Sequence, residues 1–229
     1  LLYNHSTTSP HISPPFTPPC FSSFAPVTTD EVSNLLSPDT NCDLDPIPTS
    51  LLKQCSHALL PTITNIINLS ISTGVFPDQF KSCSVHPHLK KANLDKEDLS
   101  NYRPISHLSF LSKLAERVVK LRLTEFLSNN NLLNSFQSAY IKHYSTETAL
   151  LSVHDHIIKA MSHRQVTCLT LLDLSAAFDT IDHTILLERL SAWFGITSTA
   201  LSWVKSYLLN RCFYVSIEDL VGLSLIFVY

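Results

Sequence analysis

The chain has 229 residues, 45% of them hydrophobic and 15% charged, with a formal net charge of -3. It is long enough to bury a core in one domain or two small ones. Its charge excludes a chain that is basic throughout, and no stretch is long and apolar enough to span a membrane. The six cysteines show no C-x-x-C pair and no histidine at zinc spacing. With no secretory signal at the start, they read as reduced thiols of an intracellular protein, nuclear or cytoplasmic.

Residues 1–28 are dominated by Ser, Thr and Pro, and nine of the thirteen prolines precede residue 49. Such a composition buries little, so 1–28 is expected to be a disordered linker with no core of its own. Residues 29–79 then form an N-terminal helical region. Thr29 caps a short helix through Leu36, a loop DTNCDLDPIPTS follows, and a second helix carries Leu51, Leu52 and Cys55. A third, from about Leu60 to Thr73, presents Ile63, Ile66, Ile67, Leu69 and Ile71 and stops at Gly74.

The charge is unevenly spread. Residues 1–80 hold one Lys and six acidic residues, whereas 81–122 hold nine Lys or Arg against four acidic. A block of that sign suits phosphate backbones. Lys113, Arg117 and Lys120 fall at helical spacing opposite Leu111, Leu114, Val118 and Leu121, which fits either a solvated face or a nucleic-acid contact. Lys90, Lys91 and Arg103 instead flank a polar loop: a strand-like stretch ends on the two lysines, and Arg103-Pro104-Ile105 begins the return.

Further on, Ser145 caps a helix that carries Ala149, Leu150, Val153 and Ile157. The run Val166, Thr167, Cys168, Leu169, Thr170, Leu171, Leu172 is short, apolar and β-prone, as a strand buried on both faces would be. Asp173 would stand at its exposed C-terminal end, ahead of the helix IDHTILLERLSAWF. A rigidly held carboxylate there suits a hard cation such as Mg²⁺. The plainer alternative makes Asp173 a turn cap, with Asp179 and Asp182 opening the helix.

The string LLDLSAAFDTIDH, residues 171–183, resembles motif A of the reverse transcriptases of non-LTR (LINE-type) retrotransposons. FKSCSVHPHLKKANLDKEDLSNYRPIS resembles the fingers hairpin of the same family, and FQSAYIKHYSTETAL, from Phe136, its next motif. LSWVKSYLLNRCFYVS, from Leu201, continues the match, which covers Phe24 to Asp219. The resemblance implies an α/β (α+β) chain: fingers and partial palm of a right-hand polymerase, mostly helical with a small incomplete antiparallel sheet. Fingers would occupy 80–162 and the partial palm 163–219, with 220–229 a tail outside the family pattern.

The resemblance also implies roles. Asp173, with the backbone carbonyl of Leu174, would ligate two catalytic Mg²⁺ ions, and Phe178 would lie under the nucleotide sugar and reject a 2′-hydroxyl. Arg103 with Lys90 or Lys91 would approach the triphosphate of a deoxynucleoside triphosphate, the two lysines being inseparable by spacing. Lys113, Arg117 and Lys120, by charge and spacing, and Gln137, within the next motif, are the candidates for nucleic-acid contact, the partners that the resemblance implies being an RNA template and a DNA primer. Ala139, Ile141 and Tyr144 stand where the family has Gly, Arg and His, which weakens template contact. Trp203 and Tyr207, one helical turn apart, read as core or interface aromatics; a base-stacking role for Tyr207 is the sharper alternative.

After Asp219 the sequence reads LVGLSLIFVY, where the family continues with G-x-P-Q-G-S and Y-x-D-D. On that pattern the sequence as written is expected not to polymerise DNA, since two of the three metal carboxylates are absent from it. The strand 166–172 would then lack its neighbour or recruit the terminal LSLIFVY. Two alternatives to a polymerase fragment follow: a non-catalytic nucleic-acid-binding fragment that uses the block 81–122, and a retroelement relic without function.

Overall fold

In the computed structural model, residues 17–36, 45, 48–174, 177–178, 180–215 and 227–228 are described. The chain divides into two compact units, one of Leu1–Phe126 with His183–Tyr229 and one of Leu127–Asp182. These units do not break at the fingers and palm boundaries the sequence suggests. As expected, helices dominate and a small sheet accompanies them.

The first unit opens with α1 (Thr29–Leu35). Its cap is Thr28, one residue before the expected Thr29: the Thr28 hydroxyl accepts from the Glu31 amide while the Glu31 carboxylate accepts from the Thr28 amide, a reciprocal capping box. Helix α2 (Thr49–Gln54) leads into α3 (Ser56–Thr73), which ends where Gly74 adopts φ 71°. Ile63, Ile67 and Ile71 of α3 are buried. Ile66 and Leu69 point outward instead, because a helix directs only one stripe of its circumference to the core.

Helix α4 (Phe110–Asn129) buries Phe110, Leu114, Ala115, Val118 and Val119. Leu121, expected on that stripe, is exposed, and Leu123 packs against the core instead. The Phe110 amide donates to both carboxylate oxygens of Asp45, at 2.9 and 3.0 Å, so a residue 65 positions away caps α4. Helix α6 (His183–Phe194) and α7 (Ser198–Leu208) complete the unit's helices, and Trp203 of α7 lies at the core's centre. Its Nε1 donates to the Ser70 hydroxyl at 2.9 Å, and Phe24 and Phe76 meet its ring edge to face.

The N-terminal expectation needs correction from residue 17 onward; residues 1–16 and the loop 37–44 lie outside the described residues. Phe24 and Val27 are buried in the core. The Phe21 amide donates to the Gly195 carbonyl at 2.8 Å, and its carbonyl accepts from Thr197 at 2.9 Å. The Asn68 side chain clamps both backbone polar groups of Val27. Aromatic and branched residues spaced among prolines thus find a non-local surface to cover, which outweighs the low-complexity composition.

The sheet has strand order β2-β1-β3-β4, with β1 (Ser82–Leu89), β2 (Tyr102–Leu108), β3 (Cys212–Val215) and β4 (Phe227–Val228). It is mixed rather than antiparallel, since β1 and β3 run parallel from Ser82↔Cys212 to Val85↔Val215. Four helices, α4 to α7, of which α5 spans Thr146–Ser162, separate those two strands in sequence, and a long crossover of that kind is what parallel pairing requires.

The second unit holds α5 (Thr146–Ser162), capped by Ser145 as expected through a reciprocal box with Thr148. No residue of α5 is buried. The stretch 166–172 forms no strand: every residue in it is exposed and none is in a ladder among the described residues. A strand needs a hydrogen-bonded neighbour and a covering layer, and β-propensity supplies neither. Residues 227–228 pair with β3, not with this stretch.

Candidate nucleotide and nucleic-acid site

The hairpin of β1 and β2 is the best-defined element carrying predicted site residues. Its register runs from Cys83↔Leu108 to Leu89↔Tyr102, placing His88 opposite Arg103 and Pro87 opposite Pro104. The Lys90 amide donates to the Asn101 carbonyl at 2.8 Å, which extends the pairing by one step. Counting back from that bond, 88/103 and 86/105 are hydrogen-bonded pairs and the two prolines face each other at a non-hydrogen-bonded position. There neither ring needs an N–H toward its partner. Among the described residues Pro87 also lies past the end of the β1–β3 pairing and β2 is an edge strand, so no outward bond is lost there.

The pairing then separates the two lysines. Residues 84, 86 and 88 of β1 share a face with Arg103, Ile105 and His107 of β2, and Lys90, paired with Asn101 one step past β1, continues it, whereas Lys91 lies beyond the pairing. Lys90 Nζ donates to the Ser100 carbonyl at 2.7 Å, which steadies the ammonium over the loop. Beside it the Ser100 amide donates to Asp98, and this bond, aided by the Lys90 charge, holds the Asp98 carboxyl below its ordinary range. Arg103 is exposed, and its guanidinium has no partner among the described residues. That combination leaves a planar donor fork and a steadied ammonium on one surface, the chemistry that grips phosphate oxygens.

The basic face of α4 is partly committed elsewhere. Arg117 Nη1 donates to the Leu35 carbonyl at 3.0 Å, closing the C-terminal end of α1. Arg122 is spent on the Ala25 and Pro26 carbonyls and on Glu31. Lys113 and Lys120 remain on the rim of a groove of about 530 Å³ floored by Val119, Leu123, Val204 and Tyr207.

Tyr207 cannot stack a base. Trp203, one turn before it, lies parallel at 5.4 Å, and the Arg211 guanidinium, one turn after it, sits over the ring 4.4 Å from its centre. Its hydroxyl donates to Glu116 at 2.9 Å. Burial, with the Glu116 charge, pushes the Tyr207 phenol up to about 12, and burial also raises the Glu116 carboxyl. Tyr207 is therefore the core aromatic that its spacing suggests.

The remaining predicted residues belong to the second unit. Asp173 is exposed in irregular backbone and its carboxylate has no partner among the described residues. Leu174 and Phe178 are 76% and 74% exposed, so nothing packs Phe178 as a sugar platform would need to be packed. Gln137 turns its amide back on the Ala139 carbonyl at 3.1 Å. Where glycine is expected at 139, the left-handed backbone falls on Tyr140 and His143, at φ 62° and 69°. Asp179 lies outside the described residues.

A Mg²⁺ pair demands several oxygen ligands on a common support. Among the described residues no group of three or more His, Cys, Asp or Glu side chains is placed to hold a metal ion, so the donors present do not fit such a site. Nor is any described helix long and apolar enough to cross a membrane.

Three features escaped the sequence reading: the Asp45 cap, the Glu116–Tyr207–Arg211 cluster, and the placing of His88 with Arg103. Only the last had a local signal, the alternation His86-Pro87-His88 running into Lys90.

Comparison with known proteins agrees with the motifs. The sequence profile described as reverse transcriptase (RNA-dependent DNA polymerase) matches residues 89–223. The probable RNA-directed DNA polymerase from transposon BS of Drosophila melanogaster is 27% identical over 176 residues, 77% of this chain and 19% of that protein. The RNA-directed DNA polymerase from mobile element jockey of the same species is 29% identical over 198 residues, 84% of this chain and 21% of that protein. The chain thus spans about a fifth of the length of these relatives. With more than half its residues inside that profile and its hairpin folded where the motifs place one, the chain belongs to the reverse transcriptase family, in the branch carried by non-LTR mobile elements.

Proposed function

We propose that this chain is the nucleotide-gripping part of an RNA-directed DNA polymerase, with deoxynucleoside triphosphates as substrates and an RNA template and DNA primer as partners. The observation that carries the reading is the shared face of Lys90 and Arg103, both of which lie within the family match. Arg103 binds two phosphate oxygens through its fork, and Lys90 supplies a point charge after exchanging the Ser100 carbonyl for phosphate. Asp173 is the carboxylate assigned to metal by the motif, and Phe178 the residue assigned to the sugar. Because two-metal nucleotidyl transfer takes more than one carboxylate, the reading rests on nucleotide binding and not on bond making.

Titration of the chain with dTTP tests it. Losing a charge-assisted contact costs roughly 1.5–3 kcal/mol, so Arg103→Gln is expected to weaken binding by about tenfold or more. Equal affinity in the wild type and Arg103→Gln overturns the assignment.

A further inference from the structure

His88 occupies a position that the motif roles leave unused. It is exposed, it stands directly opposite Arg103, and it lies two residues before Lys90 on the same face. Side chains paired across antiparallel strands lie about 5 Å apart at their Cβ atoms. An anion held by Arg103 and Lys90 therefore lies within reach of the imidazole.

The other histidines of this face are engaged. The rings of His86 and His107 meet edge to face at 4.8 Å, and His86 Nε2 shares a hydrogen bond with the Ser84 hydroxyl at 3.1 Å. The ring of His88 has no hydrogen bond, ion pair or ring contact among the described residues. Among the described residues, the groups around it are His86 on β1, Lys90 just past its end, Arg103 and His107 on β2, and, at the loop end, Asp98, which accepts from the Ser100 amide. Strand β3, among the described residues, pairs with β1 from Ser82 to Val85, short of this position.

We propose that His88 is a third phosphate-binding side chain of the hairpin, its imidazolium joining Arg103 and Lys90 on the triphosphate of the incoming nucleotide. The inference rests on the nucleotide-binding reading given above. A neutral imidazole offers one donor, whereas the protonated ring offers two and a charge. Triphosphate binding then favours the charged ring, so affinity is expected to rise on acidification.

The test is titration of the whole chain with dTTP at pH 5.5 and 7.5 at constant ionic strength, for the wild type, His88→Gln, His86→Gln and Arg103→Gln. The nucleotide's own protonation is common to all four proteins and cancels between them. The gain in affinity on acidification is expected to be about tenfold larger in the wild type than in His88→Gln, the size of one charge-assisted contact. His86→Gln is expected to keep the wild-type gain. If His88→Gln acidifies with the wild-type gain while Arg103→Gln weakens binding at pH 7.5, the His88 assignment alone falls. If Arg103→Gln binds as tightly as the wild type, or dTTP does not bind at either pH, the nucleotide-binding reading fails and His88 falls with it.

Discussion

Pro87 faces Pro104 across the β1–β2 pairing. Neither ring can donate to a ladder, so the pair is tolerated only where no N–H is asked for, and moving the register by one residue would place one of the two where a bond is due. The two prolines thereby fix which residues share a face, and that parity joins Lys90 with Arg103, while Lys91 lies beyond the pairing. Lys90→Gln is accordingly expected to weaken dTTP binding by about tenfold, and Lys91→Gln by no more than the long-range loss of one screened charge, a few-fold at most. Titration at two salt concentrations separates them. Equal losses for both lysines would mean that the strand's alternation does not reach the phosphate.

Gly195 ties the N-terminal segment to the turn between α6 and α7. Its φ is 67°, and a Cβ built there would lie 2.0 Å from the Pro19 carbonyl oxygen. Backbone cannot move aside as a flexible side chain would, so Gly195→Ala must displace the segment that carries Phe21 and Phe24. Left-handed strain and overpacking together are expected to cost about 3 kcal/mol. A urea midpoint checks the loss, and faster amide exchange at Phe21 checks its location. A variant as stable as the wild type would show that the segment's docking contributes little.

Glu116 gives stability a pH dependence of definite sign. Burial raises its carboxyl above the ordinary 4.5, against the opposing Tyr207 hydroxyl and Arg211 charge. A carboxyl raised on folding favours the folded state while protonated, and that contribution is lost as pH rises through the raised value. Glu116→Gln mimics the protonated form at every pH and still accepts from Tyr207. Relative to the wild type, the variant is expected to gain stability between about pH 4 and pH 7. Thermal midpoints across that range would contradict this if the difference stayed flat or shrank as pH rose.

What was legible in the sequence was local. Ser145 caps α5 and Gly74 ends α3 because caps and left-handed stops involve only neighbouring residues. The hairpin was visible because two lysines and R-P-I bracket a polar loop. What escaped depends on distant partners. Phe24 and Val27 are buried by contacts that composition cannot foresee, and 166–172 has the residues of a strand but no ladder among the described residues. Arg117 fits phosphate by charge and spacing, but the Leu35 carbonyl is its partner, whereas Tyr207 is the core aromatic that its spacing to Trp203 suggests. Charge and aromaticity were readable; whether they were already spent was not.

The most direct measurement is a ¹⁵N NMR titration with dTTP that follows the Nε–H of Arg103, the amides of His88 and Lys90, and those of Lys113 and Lys120. The account predicts saturating shifts at Arg103, His88 and Lys90, with α4 unmoved. Shifts confined to Lys113 and Lys120, or none at Arg103, would place the nucleotide elsewhere and contradict it.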